Sequence, residues 1–329
     1  MNTGTVQSFL VPNYSGLLYN KADTSTPFLN SISGRVKYTN SVEFVCGQYY
    51  TSEEGAIPNI SETASLTAPT ATYVTRTQMS NVTQIFHETV AVSYAKESNM
   101  ATLGGVNIAG QVENPTSELD FQTNAKMNKI KRSIEKTFIQ GTYNKAASDS
   151  QVNKTRGMLA AITTNVKAAG GAALDLWLVN EVVTDIANAG GDISQLTMLV
   201  NGVNLLQLHG NAVEMGMQVG EPYMNAFGIQ VRDLVLPIGT TLHFGIGAFL
   251  PDGVALIYNP SVCGPVEQPV PGKGNFFREE LAKDGASTKY QIFGQIGLDH
   301  GPEWFHGKIT GLSTTFTKPE GIKVKTVSA

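Results

Sequence analysis

His300, Glu303 and His306 come nearest, by type and spacing, to a metal site. Steps of three residues along a helix place side chains near one face, and imidazole with carboxylate is a ligand set for zinc. Gly301, Pro302 and Gly307 surround them, however, and both residue types oppose a stable helix. The i, i+4 histidine pair of zinc proteases is also missing. A strand-end or interface role is therefore expected for these three residues.

The other candidates for chemistry are weaker. Gly272-Lys273-Gly274 is not followed by Ser or Thr and lacks the second glycine of a phosphate loop. Gly245-Ile246-Gly247 lies inside an apparent strand, whereas a dinucleotide site needs its glycines between a strand and a helix. No G-x-S-x-G occurs. Cys46 and Cys263 are far apart, form no CxxC pair and read as small buried hydrophobes suited to a reducing compartment. The acid pair Glu279-Glu280 defines no acid–base geometry. No metal or cofactor set and no catalytic constellation emerges, so an enzyme is not expected.

The composition points elsewhere. The chain has 329 residues, 41% of them hydrophobic, enough for two or three sub-domains. Only 15% are charged, against roughly 25% in a typical soluble protein. Thr, Ser, Asn, Gln and Gly make up the difference. Such a surface suits burial against other protein, where charges would need partners. It equally suits a β-rich domain with many turns. A formal net charge of −4 argues against a strongly basic nucleic-acid-binding domain. Met1 to Leu10 lacks the basic start and apolar run of a signal peptide. No run of about 18 apolar residues is present, so no membrane partner is expected. Synthesis in cytoplasm before assembly is the expectation.

The elements follow from periodicity and breakers. Residues 1–35 are polar and irregular, with one short helical turn possible at Tyr14, Leu17, Leu18 and Tyr19. Pro27 is expected to stop helix continuation and to favour an extended residue before it, and the segment has too little apolar content to fold alone, so it is either disordered or laid across another surface. Residues 36–94 read as two long strands, Val36 to Tyr50 and Tyr73 to Tyr94, joined by roughly 20 structureless residues. Much of this hairpin is polar on both faces, and an isolated two-stranded hairpin is marginal in water. A hairpin that projects and is stabilised on another chain resolves this. Between Ser117 and Gly141 the pattern predicts a long helix, roughly 37 Å at 1.5 Å per residue. Leu119, Met127, Ile130, Ile134 and Phe138 form its apolar stripe.

Lys126, Lys129, Arg132 and Lys136 fall on the opposite face of that helix. A cationic stripe faces nucleic acid or pairs with acids on a neighbour, and the overall acidity favours the second. The hairpin tip Glu53-Glu54-Gly55 is the matching acidic feature. These seven residues are the candidate inter-subunit contacts. A second helix is predicted from Leu174 to Ala189, striped by Leu174, Leu178, Val182 and Ile186. Short strands follow at Leu196–Val200, Phe227–Val231, Thr241–Phe249 and Val254–Tyr258, with a tight turn at Pro251-Asp252-Gly253 between the last two. After a Pro/Gly-rich stretch at 260–274, strands recur near Tyr290–Leu298 and Phe305–Leu312.

This order of parts resembles the major capsid protein of tailed bacteriophages, the Hong Kong 97-type fold. Asp23 with Thr26-Pro27-Phe28 and Ile32 is similar to the arm of the subfamily related to phage SU-ten. Asn81-x-Thr83-Gln84-Ile85 with Val90-x-Val92-Ser93 resembles its hairpin return strand, and Lys129-Ile130-Lys131-Arg132-Ser133-Ile134-Glu135 its spine helix. Arg156-Gly157-Met158-Leu159 and Gly307-Lys308-Ile309-Thr310-Gly311-Leu312 complete the series. An insertion-like stretch from Gly104-Gly105 to Pro115 departs from the pattern.

The resemblance implies an α+β fold with an N-terminal arm (1–35), an extended β-hairpin loop (36–94), and a peripheral domain with the spine helix (95–168). A mixed α/β axial domain (169–260) and the return strands with a C-terminal tail (261–329) follow. It implies a major capsid protein that self-assembles into hexamers and pentamers of an icosahedral phage head enclosing double-stranded DNA. DNA contact would be non-specific and at the inner wall. Portal, scaffold and decoration proteins are the further partners it implies. The competing reading is another phage structural component, such as a tail or baseplate protein. The long helix and the α/β block argue against a tail tube, which is expected to be mostly β.

Overall fold

The computed structural model describes residues 25–52, 55–97, 118–214, 223–224, 230–283 and 285–316. The expected helical turn at Tyr14 to Tyr19 and the stretch from Gly104 to Pro115 lie outside these residues.

Pro27 opens a short helix of its own. It occupies the first turn of α1 (Pro27–Ile32), where its missing N–H leaves nothing unpaired and its fixed φ suits the helix. Thr26 before it is non-helical, at φ −111° and ψ 70°, as a residue preceding proline tends to be. Phe28 and Ile32 are completely buried against the protein's own core. A short 3-10 turn (Ser33–Arg35) leads into β1 (Lys37–Tyr38).

The hairpin is shorter than its pattern suggests. β2 (Glu43–Tyr50) pairs antiparallel with β3 (Arg76–Val82), and the single helical turn α2 (Glu62–Ser65) lies in the connection. The expected second strand divides at Thr83. Its continuation, β4 (Gln84–Ser93), leaves the hairpin and ends in α3 (Tyr94–Glu97).

The long helix is α4 (Glu118–Gln140). Ile130, Ile134, Phe138 and Ile139 are buried, with Met127 partly so, while Leu119 is only half-buried. Ser117, where the pattern starts, lies outside the described residues. Gly141 does follow the helix, but for a packing reason. A Cβ there would sit 2.4 Å from the Thr137 carbonyl oxygen and 2.5 Å from that of Thr155. Next come α5 (Met158–Ala161), β5 (Val166–Ala168) and α6 (Leu176–Asn188). Asp175 caps α6, accepting the Leu178 N–H at 2.9 Å, so Leu174 precedes the helix and is not part of it.

β6 (Leu196–Val200) matches its expected span, and α7 (Gly202–Glu214) follows where no helix was predicted. The remaining strands are β7 (Tyr223–Met224), β8 (Gln230–Val235), β9 (Thr241–Ile246), β10 (Ala255–Tyr258), β11 (Gly264–Glu267), β12 (Phe277–Glu280), β13 (Ser287–Asp299) and β14 (Gly307–Thr310). Of the strand expected at Phe227–Val231, residues 227–229 lie outside the described residues, and β8 extends past Val231 to Val235. The stretch at 260–274 contains β11. The segment from Phe305 to Leu312 is a 3-10 turn (Glu303–Phe305) followed by β14. A turn does form at Pro251-Asp252-Gly253, with Gly253 at φ 71°, yet β6 lies between β9 and β10.

Two sheets result. In one, β13 is central: β4 pairs along one edge, β12 and β11 share the other, and β1 joins β11. The second runs β5-β14-β10-β6-β9-β8-β7. Every residue of β6 and β10 is buried, because both faces of that sheet are covered. Met198 and Ile257 face the core under α6, whereas Leu199, Leu256 and Tyr258 join the core of α1, α4 and β13. β5 and β14 both belong to this second sheet.

Candidate functional site

The turn carrying His300, Glu303 and His306 is built as a support. His306 is fully buried; its Nε2–H donates to the His300 carbonyl at 2.7 Å and its Nδ1 accepts the Asn259 N–H at 3.2 Å. With both nitrogens occupied the ring is neutral, and burial pushes its pKa down to about 4. His300 donates from Nδ1 to the Gly301 carbonyl at 2.8 Å, and burial lowers its pKa as well. The Glu303 carboxylate accepts the N–H groups of Thr163 and Thr164, at 2.9 and 3.1 Å, and the Thr164 hydroxyl. Burial opposes its ionisation, but those donors outweigh it and hold the pKa below the ordinary value. Glu303 and His306 are thus committed, chiefly to backbone groups. Among the described residues no group of three or more His, Cys, Asp or Glu could hold a metal ion. Cys46 and Cys263 are buried, and burial raises both thiol pKa values, that of Cys46 to about 12, which opposes thiolate chemistry.

What this turn supports is the root of the hairpin. The Trp304 ring lies 4.9 Å from that of Tyr49 on β2, edge to face, and the backbone of Gly301 packs beside Gly47. Asn81 on β3 is the centre of the root and is fully buried. Its Oδ1 accepts the N–H groups of Arg156 at 2.7 Å and Val82 at 2.9 Å. Its Nδ2 donates to the carbonyls of Leu298 at 2.8 Å and Arg156 at 3.1 Å. That is the complete capacity of a side-chain amide. Thr83 donates to Gln268 at 2.7 Å, and the Thr155 hydroxyl accepts the Leu298 N–H at 3.1 Å. Arg156 stacks on Tyr143 at 4.7 Å, while Phe44, Cys46 and Val266 form a small apolar cluster beneath. Phe44 lies so close to Gly297 that a Cβ there would be 2.7 Å from the ring. Two short motifs, at Asn81 and Arg156, thereby converge on the end of β13.

Beyond the root the character reverses. Every described residue from 51 to 75 is exposed. Ile57 is 94% exposed, Tyr73 88% and Leu66 83%, values an apolar side chain reaches only where nothing of its own chain covers it. Gly55 lies exposed on this tip, and Glu53 and Glu54 fall outside the described residues.

On the spine, Lys126 and Lys129 both bind Glu88 of β4, Lys126 at 2.9 Å. Burial works against the Glu88 charge, but the two lysines outweigh it and lower its pKa. These two cations therefore already have an acidic partner within the chain. Arg132 is half-buried and Lys136 exposed. Sequence reasoning missed Glu88, although its signal was present. It shares the inward parity of Phe86, Val90 and Val92, which turns a carboxylate toward the basic helix.

A spine helix, a β-hairpin anchored at its root and bare at its tip, and two sheets sharing a core define a shell-forming protein of the Hong Kong 97 type. Solved structures agree. The capsid of cyanophage A-1(L) has a TM-score of 0.63 at 11% identity, covering 92% of this chain and 97% of that one. The SrpI encapsulin of Synechococcus elongatus PCC 7942 has a TM-score of 0.62 at 9% identity, covering 93% and 95%. The capsid of cyanophage P-SCSP1u has a TM-score of 0.56 at 11% identity, covering 96% of each. Because an encapsulin stands beside phage capsids, the fold alone does not choose between them. A search of curated sequences finds no significant match. The family comparison decides: the model of the SU10 major capsid protein matches residues 1–313. The chain belongs to that family, and its role is that of a major capsid protein, a structural subunit of the virion shell.

Proposed function

We propose that this subunit assembles into hexamers and pentamers that tile an icosahedral head around double-stranded DNA, each copy laying its hairpin tip over an adjacent copy. The observation that carries the reading is the contrast along one hairpin: a root with every polar group of Asn81 satisfied, and a tip whose Ile57, Leu66 and Tyr73 are bare. Burying one such side chain is worth about 1.5–3 kcal/mol, so tip contacts repeated around a ring stabilise the assembly strongly. Packaged DNA would meet the inner wall without sequence preference. Portal, scaffold and decoration proteins complete the proposed set of partners, with synthesis in the host cytoplasm. The test is electron microscopy of the purified protein. Closed shells are expected; tubes or small discrete particles would refute the reading.

Within that assembly, Glu53, Glu54 and Gly55 of one tip dock near the spine of the next copy. Because Lys126 and Lys129 are held by Glu88, the exposed Lys136 is the cation of that face proposed to receive the tip. Lys136→Glu should impair assembly at low salt while the unassembled chain keeps its fold. Unimpaired assembly at low salt would remove this contact from the proposal.

A further inference from the structure

Glu135 belongs to none of the contacts above, yet it is a fully buried carboxylate on the spine helix. It points at the arm. One oxygen accepts the Phe28 N–H at 2.9 Å and the other the Leu29 N–H at 2.6 Å, so a residue 107 positions away closes the first turn of α1. Thr26 supplies no side-chain cap of its own. The arm helix is therefore attached to the spine by this carboxylate and by the burial of Phe28 and Ile32.

Among the described residues no ion pair reaches it. α1 and α5 carry no ionisable side chain. β10 presents Tyr258, whose hydroxyl is bonded to Ser31 at 2.9 Å and whose own ionisation burial suppresses. On β4, the Glu88 charge is matched by Lys126 and Lys129, the nearer of them six residues or about 9 Å back along the helix axis. Among the remaining neighbours, α3 carries Lys96 and Glu97, while β13 carries Lys289, Tyr290 and Asp299, the last paired with Lys37. On α4 itself, Lys131 and Lys136 are exposed and Arg132 is half-buried.

We propose that docking of the arm helix on the spine is coupled to uptake of one proton at Glu135, so that the arm is held more tightly just below neutrality and more loosely above it. The direction follows from what docking does to the carboxylate. Undocked, Glu135 is exposed to water and ionises as an ordinary glutamate. Docked, it is stripped of water, and two neutral N–H donors do not replace what it lost. The folded-state pKa is accordingly raised, from 4.5 to about 7. A carboxyl with a raised docked-state pKa binds its proton preferentially in the docked state. Acidification through neutrality therefore strengthens docking, and the protonated oxygen pair still accepts a backbone hydrogen bond. The inference stands apart from the shell reading, since it concerns one chain's own arm.

Hydrogen exchange of the full-length chain, corrected for the intrinsic rate, reads the coupling at the amides of Phe28 to Ile32. With pKa values of about 7 docked and 4.5 undocked, protection should fall about tenfold between pH 6 and pH 8.5. Glu135→Gln keeps a carbonyl acceptor and removes the proton, so its protection should change less than twofold over the same range. Glu88→Gln, which leaves Glu135 intact, should retain the tenfold fall. Flat protection in the unaltered protein would overturn the proposal, and so would an unchanged slope in Glu135→Gln. If Glu135→Gln fails to fold, the profile of the unaltered protein decides alone.

Discussion

Replacing Asn81 by alanine strips four backbone partners at once: the N–H groups of Val82 and Arg156, and the carbonyls of Arg156 and Leu298. A buried group left unpaired costs about 1–3 kcal/mol. The two N–H groups contribute most of the penalty, because each loses its acceptor outright. The carbonyls contribute less, since Leu298 still accepts the Cys46 thiol at 3.5 Å. Water entering the vacated space recovers part of the loss. The expected destabilisation of the root is about 3–5 kcal/mol, or roughly two to three and a half decades in its opening equilibrium. Hydrogen exchange across β2, β3 and the segment around Arg156 measures it. Gln78→Ala, on the exposed part of β3, is the control and should change local stability by less than about 0.5 kcal/mol. Asn81→Asp keeps both acceptor contacts but aims a carboxylate at two carbonyls, so its defect should ease on acidification as the carboxyl becomes a donor. A loss below 1 kcal/mol in Asn81→Ala, or exchange no faster than in Gln78→Ala, would refute the view that this amide fixes the hairpin.

Other consequences follow from the same packing. Gly141→Ala would set a Cβ 2.4 Å and 2.5 Å from two carbonyl oxygens, both backbone, so the chain must shift; a loss of at least about 3 kcal/mol is expected in chemical denaturation. His306 has a folded pKa of about 4 against 6.5 for the free side chain, so its neutral form is favoured by folding. Its contribution is complete above pH 6.5 and is lost as pH falls toward 4, by about 3 kcal/mol, and denaturation at pH 7 and pH 4 should flatten accordingly in His306→Gln. Serine at Ile57, Leu66 and Tyr73 together should leave the melting temperature of the unassembled chain within about 2 °C, while the yield of shells seen by electron microscopy collapses.

Local order was readable where one period ran without interruption. α4 carries its apolar side chains at helical spacing for more than twenty residues, and β6 and β13 are unbroken apolar or alternating runs. α7 was hidden by Gly202 and Gly210 and by two asparagines, residues of low helical preference. Its start signal was nonetheless present, since Asn201 accepts the Asn204 N–H at 2.9 Å as a cap does. The division of the hairpin strand at Thr83 also left a mark. Asn81, Val82 and Thr83 are consecutively buried, which a strand with one wet face does not allow. Glu135 left none, because a carboxylate beside an apolar stripe looks like a solvated flank until its partner in the arm is known.

The hairpin shows why composition by segment was only half sufficient. Residues 36–94 contain too little apolar side chain to fold alone, and for the tip that inference survives in the exposure of Ile57, Leu66 and Tyr73. The root escapes it through polar satisfaction. One asparagine and a set of glycine contacts bind it to β13 and the segment after the spine, and the Thr83 hydroxyl ties it to Gln268, using partners more than 70 positions away. A count of hydrophobic residues is blind to that, because such bonds add little to the apolar total yet define direction. Direction is what a shell subunit requires of this element. A tip that needs a neighbour contributes nothing unless the root aims it, and a well-aimed root gains nothing unless the tip remains uncovered. The two ends therefore face opposite physical demands within one hairpin, buried and saturated at one end, apolar and bare at the other.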